Sequence, residues 1–280
     1  MVLKLFVYKL RVGFARMGGR SLPHTTSAKA YGNEGEDSLA TLLMQRIPSC
    51  EIKQNIMISI PEGNAEIDIL VLYQNKLFAI EVKHWKGHLR EVDGGIVQDK
   101  IDRWTDEIHR KRHKSPFKQL NRAIYLLHKQ IQGKVWVHSI VYFEDATSVD
   151  TSEDNIWFSS IDELVSYITD EGNTRISVDA TAYFDACTAA DRLYALSGRR
   201  TLYGHIYDDC LRFQTQNGFV TRREILDIYV KHHWTYDELY IKTTTGEELY
   251  STIENDSIEV FHDGWRQRYA LCKIDYIQLG

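Results

Sequence analysis

The stretch AEIDILVLYQNKLFAIEVKHW, residues 65–85, constrains the fold of this 280-residue chain more than any other. Two apolar runs flank Gln74 and Asn75, which suit a two-residue turn, so the stretch reads as a β-hairpin. With Tyr73 opposite Lys76, the register sets Asp68 opposite Glu81 and Glu66 opposite Lys83. Alternation then places these four charged side chains on one face, at the far end of the hairpin. Ile67, Ile69, Val71, Phe78, Ile80 and Val82 form the other, core-facing side.

Two facing carboxylates repel, and burying them without compensation costs several kcal/mol. A divalent cation such as Mg²⁺ removes that cost, because it takes one or two carboxylates together with water and substrate phosphate. Lys83 beside it can orient or deprotonate a water, or steady a phosphate oxygen. This chemistry suits phosphodiester hydrolysis. The competing reading is a Glu66–Lys83 ion pair with Asp68 and Glu81 near a solvent edge. The apolar residues on both strands favour a central hairpin instead.

The flanking segments build an α/β layer. Residues 33–47 read as a helix that sets Glu36 in one stripe with Leu39, Ala40 and Leu43, and Pro48 ends it. Residues 51–60 read as a strand and 61–64 as a turn. A glycine-rich loop follows at Gly87, Gly94 and Gly95, then a polar segment, 98–114, expected to be partly helical. A helix capped by Ser115 with Pro116 in its first turn buries Leu120, Ala123, Ile124, Leu127 and Ile131. A strand near 134–143 and a short helix near 161–170 complete an α-β-β-β-α-β order. Beyond residue 177 the pattern predicts helices over 178–198 (closed by Gly198) and 222–233, then short strands: a smaller α+β unit. The expected division is a basic extension over 1–30, a first domain over 31–175 and an accessory domain over 176–280.

Net charge is −5, so bulk charge does not announce a polyanionic ligand, but its distribution is uneven. Residues 100–134 carry ten Lys/Arg against three Asp/Glu, whereas 141–172 carry nine Asp/Glu and no Lys/Arg. The basic block either faces phosphates or forms a solvated helix face. The four cysteines lack zinc spacing and read as free thiols in a reducing cytoplasm. The basic N-terminus has no clean signal-peptide core, and no run reaches transmembrane length. It reads as a flexible or weakly helical arm, with a membrane-surface or nucleic-acid contact open to it.

Asp68 followed by Glu81-Val82-Lys83 on paired strands, after a helix, resembles the PD-(D/E)xK nuclease superfamily. The closer resemblance is to the nuclease-related domain (NERD) family. It is carried by GED at 35–37, AEID at 65–68, IEVK at 80–83, Gly87 and SPFKQ at 115–119, and covers roughly residues 30–145. Ala65 and Ser115 depart from the family's usual Gly or Thr and Asn. The resemblance implies a restriction-endonuclease-like αβββαβ core with a mixed central sheet and metal-dependent hydrolysis of DNA. Asp68 and Glu81 would ligate Mg²⁺ or Mn²⁺, with the Val82 carbonyl as a further ligand. Lys83 would position water or stabilise the transition state. Glu36 would complete the site, Gln119 would lie near the scissile phosphate and Glu66 would orient Lys83. Lys86, Arg103, Arg110, Lys111, Arg112 and Lys114 would then contact the DNA backbone, with His88 a further contact. His84 reads as a packing or surface residue. Trp85 and Trp104 either stack on bases or pack in a core.

A microbial defence or mobile-element setting fits such a nuclease. Two other readings stand beside turnover: a nucleic-acid-binding or regulatory module, and a nuclease gated by a ligand or partner through the C-terminal half. That half is rich in aromatics (Tyr229, Trp234, Tyr236, Tyr240, Tyr250, Trp265, Tyr269, Tyr276). They form either a binding surface or a small β core. The half could sense a ligand, bind an activating partner or form a homodimer.

Overall fold

The structure, a computed structural model, describes residues 18–23, 27–101, 107–133, 135–170, 179–195, 200–233, 237–252, 257–262 and 265–280, with backbone alone for 27–33, 101 and 252. Arg103, Trp104, Gly198, Trp234 and Tyr236 lie outside the described residues. The fold is mixed α/β with mixed sheets, and it divides into two compact units.

The first unit spans 27–189. Its elements are α1 (Ser27–Arg46), β1 (Glu51–Ile60), β2 (Gly63–Tyr73), β3 (Lys76–Lys83), β4 (Gly87–Val92), β5 (Gly95–Ile101), β6 (Ile108–Lys114), α2 (Pro116–Ile131), β7 (Val137–Phe143), β8 (Ala146–Asp150), β9 (Ile156–Phe158), α3 (Ile161–Thr169) and α4 (Ala180–Ala186). A five-stranded sheet runs β1-β2-β3-β7-β9, antiparallel from β1 to β3 and parallel from β3 onward. The hairpin is therefore central. Gln74 and Asn75 turn it with φ of 47° and 56°, the left-handed pair that matches strand twist.

Helices cover both faces of this sheet. Leu39, Ala40 and Leu43 of α1 pack with Ile69, Val71, Phe78, Ile80 and Val82, together with α3. Leu120, Ala123, Ile124, Leu126 and Leu127 of α2 pack with Ile56, Ile58, Ile67, Leu70, Leu77 and Ala79, together with α4. Each such leucine contributes about 1.5–3 kcal/mol by leaving water.

Strict alternation fails at one point. Ile67 packs on the α2 side, whereas Ile69 and Val71 pack on the α1 side. The same switch occurs in β1, between Ile52 on the α1 side and Ile56 on the α2 side. Asn55 and Asp68 lie at the switch, between the paired positions Gln54↔Ile69 and Ile56↔Ile67. Asn55 is buried and left-handed, with φ of 53°. Asparagine tolerates this conformation better than other side chains. The expectation that Glu66, Asp68, Glu81 and Lys83 share one flat face is thus corrected: one left-handed residue turns both strands over.

A second sheet runs β6-β5-β4-β8. The glycine-rich stretch expected as a loop is the β4–β5 hairpin, turned at Asp93 and Gly94 with φ of 50° and 69°. The segment 98–114, expected to be partly helical, instead completes β5 and forms β6, paired from Gly95↔Lys114 to Ile101↔Ile108. The strand IHRKRHK is a charged sheet edge, the composition that keeps an edge from pairing with other chains.

The other unit joins residues 18–23 to 190–280. Between 190 and 280 its described residues form ten further strands and three short 3₁₀ turns, so the α+β expectation is corrected to β. The described residues of 178–198 form the short α4, which packs in the first unit, and then β10 (Asp191–Ala195). Residues 222–233 form a 3₁₀ turn and β14 (Ile225–His232), in which Ile225, Ile228 and Val230 are buried. Leu22 packs into this unit's core, and the Arg20 carbonyl accepts from the Ala270 amide at 3.0 Å.

The aromatics divide between core and surface. Tyr269 is buried. Tyr194, Tyr276, Tyr229, Tyr240 and Tyr250 occupy directly paired positions on five adjacent strands, opposite the core face. Trp265 is exposed.

The left-handed switch predicts a stability order. Asn55→Gly keeps the backbone conformation, whereas Asn55→Val forces a β-branched residue into it. The valine variant should unfold at lower urea concentration, less stable than the glycine variant by about 1–3 kcal/mol. Equal stability would contradict the switch.

Candidate active site

The site forms where β2 and β3 separate. Their ladder ends at Ile69↔Ile80, so Asp68 and Glu81 are not a ladder pair as expected. Asp68 Oδ2 instead accepts from the Val82 amide at 2.8 Å. β3 continues against β7, pairing Glu81 with Val141 and Lys83 with Phe143. Glu81 is fully buried and Asp68 nearly so, which removes the solvent-edge reading.

Lys83 Nζ donates a charge-assisted hydrogen bond to Glu81 Oε1. Gln119 Nε2 donates to the same oxygen at 2.7 Å. Gln119 is positioned by the start of α2, where Ser115 Oγ accepts from the Lys118 amide at 3.3 Å and Pro116 opens the helix. The other oxygen, Glu81 Oε2, is buried without a hydrogen-bond partner among the described residues.

α1 brings Glu36 to this cluster. Gly35 permits the approach, because a Cβ there would overlap the His84 imidazole. His84 also pairs with Glu144. Gln54 ties α1 to β1, donating to Asp37 Oδ1 at 3.0 Å and to the Glu36 carbonyl at 3.3 Å. Glu66 is exposed, and the ion-pair partner of Lys83 is Glu81.

Electrostatics bind these groups into one system. Burial, then Asp68 and Glu66, pushes Glu36 up to about 8. Burial and the Asp68 charge push Glu81 up to about 8. Burial also raises Asp68, against the opposing pull of Lys83 and the Val82 amide. Burial draws the Lys83 ammonium down, but Glu81 and Asp68 outweigh it and hold Lys83 above its ordinary value.

Among the described residues no three His, Cys, Asp or Glu side chains converge to hold a metal by themselves. A hard cation that takes one or two carboxylates and keeps several waters needs no such trio. The unpartnered Glu81 Oε2, the neighbouring Asp68 and the all-oxygen donor chemistry fit Mg²⁺ or Mn²⁺.

Residues 31–144 match the model of the nuclease-related domain. The match runs from α1 through β7 and takes in Glu36, Asp68, Glu81, Lys83 and Gln119. It covers less than half of the chain. No curated protein and no solved structure matches the chain.

The second sheet and the residues next to it carry the basic side chains. Arg110 binds Asp99 at 2.9 Å and Arg90 binds it at 3.1 Å, which holds the Asp99 carboxyl below its usual range. Arg112 lies 4.0 Å from Asp93 and Lys86 lies 3.4 Å from Asp145. His88 bonds Ser148 at 2.8 Å. Lys111 and Lys114 are exposed. Trp85 stacks on His113 with ring centroids 4.1 Å apart and packs beside Phe143. Sequence reasoning missed Asn55 and Gln54. An asparagine among β-formers was the one available signal, at Asn55.

The raised carboxylates set the sign of a pH effect. Unfolded glutamates titrate near 4.5, whereas Glu36 and Glu81 in the fold titrate near 8. Between those values the native state holds more protons, so its stability falls as pH rises from about 4.5 to about 8. In EDTA, the melting temperature of wild type relative to Glu81→Gln should fall from pH 5 to pH 8. Mg²⁺ should raise the wild-type value more at pH 8 than at pH 5. A relative melting temperature that rises over this range would contradict the buried-carboxylate account.

Proposed function

We propose that this chain is a metal-dependent deoxyribonuclease of the PD-(D/E)xK type. Its Asp68, Glu81 and Val82 carbonyl hold Mg²⁺ or Mn²⁺ at one end of a restriction-endonuclease-like core. The observation that carries the reading is the fully buried Glu81, with one oxygen shared by Lys83 and Gln119 and the other without a partner. A cation bound there supplies an acidified water and charge stabilisation at the phosphoryl oxygens. The Lys83 ammonium, kept charged by Glu81 and Asp68, suits stabilisation of developing phosphoryl charge. Gln119 fixes the Glu81 carboxylate, and Glu36 closes the acidic side of the site. Among the described residues no helix is long and apolar enough to cross a membrane, and the four cysteines form no disulfide. Both suit the proposed cytoplasmic setting.

Cleavage of supercoiled plasmid and single-stranded DNA with Mg²⁺, Mn²⁺ or EDTA tests this reading. Wild type should cut only with metal. Glu81→Ala and Asp68→Ala should lose at least ~100-fold, and Gln119→Ala about 10- to 100-fold. Asp68→Ala should still bind DNA. Undiminished cutting by Asp68→Ala would mean the site is elsewhere. DNA binding by wild type without any cutting would favour a binding module or a gated nuclease.

A further inference from the structure

Strand register sorts the cations of the second sheet onto two faces. Residues directly opposite one another share a face. Ile96 faces His113, Gln98 faces Lys111 and Lys100 faces His109. Ile96 is buried in a cluster with Phe117, Val141 and Phe143, so this row is the inner face, turned toward the central sheet. Val97, Asp99, Arg110 and Arg112 alternate onto the outer face.

The two faces differ in how their charge is used. On the outer face Asp99 engages both Arg90 and Arg110, and Arg112 lies near Asp93. On the inner face Lys100 and Lys111 are exposed, and neither has a hydrogen-bond or ion-pair partner among the described residues. The inner face is also anchored. Gln98 donates to the Lys86 carbonyl at 2.8 Å and contacts His113 at 3.0 Å, and His113 stacks on Trp85, two residues beyond Lys83. Burial lowers the His113 imidazole, and Lys111, Lys100 and Lys83 lower it further. One ring therefore senses the catalytic lysine and both inner lysines.

We infer that the inner face of the β5–β6 ribbon is the phosphate track for the DNA strand entering the site, with Lys100 and Lys111 as its phosphate contacts. This rests on the nuclease reading above. Two ammoniums without an ion-pair partner among the described residues, beside the Glu81–Lys83 end of β3, match a polyanionic backbone. Arg110 and Arg112, expected from sequence as DNA contacts, point away from this track. Being phosphate contacts, the two lysines position the strand without choosing its sequence.

The salt dependence of DNA binding tests the inference. Fluorescence anisotropy would follow labelled single-stranded and duplex oligonucleotides, with Mg²⁺, on the full chain carrying Asp68→Ala to prevent cutting. Adding Lys100→Ala with Lys111→Ala should reduce the slope of log K against log [salt] by about 1.8 on duplex, or about 1.4 on a single strand. Adding Arg112→Gln with Lys114→Gln should leave it unchanged. If the parent binds DNA and the lysine pair leaves the slope intact, the track is wrong while the nuclease reading stands. If neither wild type nor the Asp68→Ala chain binds DNA, the nuclease reading falls and the track falls with it.

Discussion

The burial of Glu81 and Asp68 in central strands of the five-stranded sheet is the constraint on which the rest of the first unit depends. A carboxylate without solvent must find donors, a counter-charge or a proton. Glu81 uses all three: Lys83, Gln119 and a titration point raised to about 8. Asp68 takes the Val82 amide, which the β2–β3 ladder leaves available by ending at Ile69↔Ile80. The end of that ladder and the reversal of both strands at Asn55 and Asp68 therefore belong to the same construction. Without the reversal Ile67 would face the α1 layer with Ile69, instead of the α2 layer with Leu70.

Much of this was legible in the residues. The hairpin, its two-residue turn, the Ser115 cap and the α2 stripe follow from local rules with strong, short-range signals. Strict alternation carried the register correctly from Tyr73↔Lys76 to Ile69↔Ile80, then failed where Asn55 adopts a left-handed backbone. Ile52, Ile56, Ile58 and Ile60 keep one parity throughout, so apolar spacing cannot reveal that the face changes between the first two.

The basic segment misled for a different reason. β6 is solvated along most of its length, so it has no apolar period to report, and charge density alone resembles a helix surface. Only its pairing with β5 separates Arg110, neutralised by Asp99, from Lys111, which has no ion-pair partner among the described residues. In the C-terminal unit, residues 222–233 offer apolar positions compatible with both periods. Pairing with β15 (Asp237–Thr243) and β19 (Tyr276–Gln278) settles them as strand. The tyrosine row could not be foreseen, because its members come from distant parts of the chain and meet only across the sheet.

The proposed divalent cation would sit among carboxylates of which burial pushes Glu36 and Glu81 up to about 8. Titration calorimetry of Mn²⁺ into the full chain at pH 7, in two buffers of different ionisation enthalpy, tests it directly. Binding should be accompanied by net proton release, and Glu81→Gln should weaken the binding and reduce the protons released. Absence of binding, or binding without proton release that is indifferent to Glu81→Gln, would contradict the account.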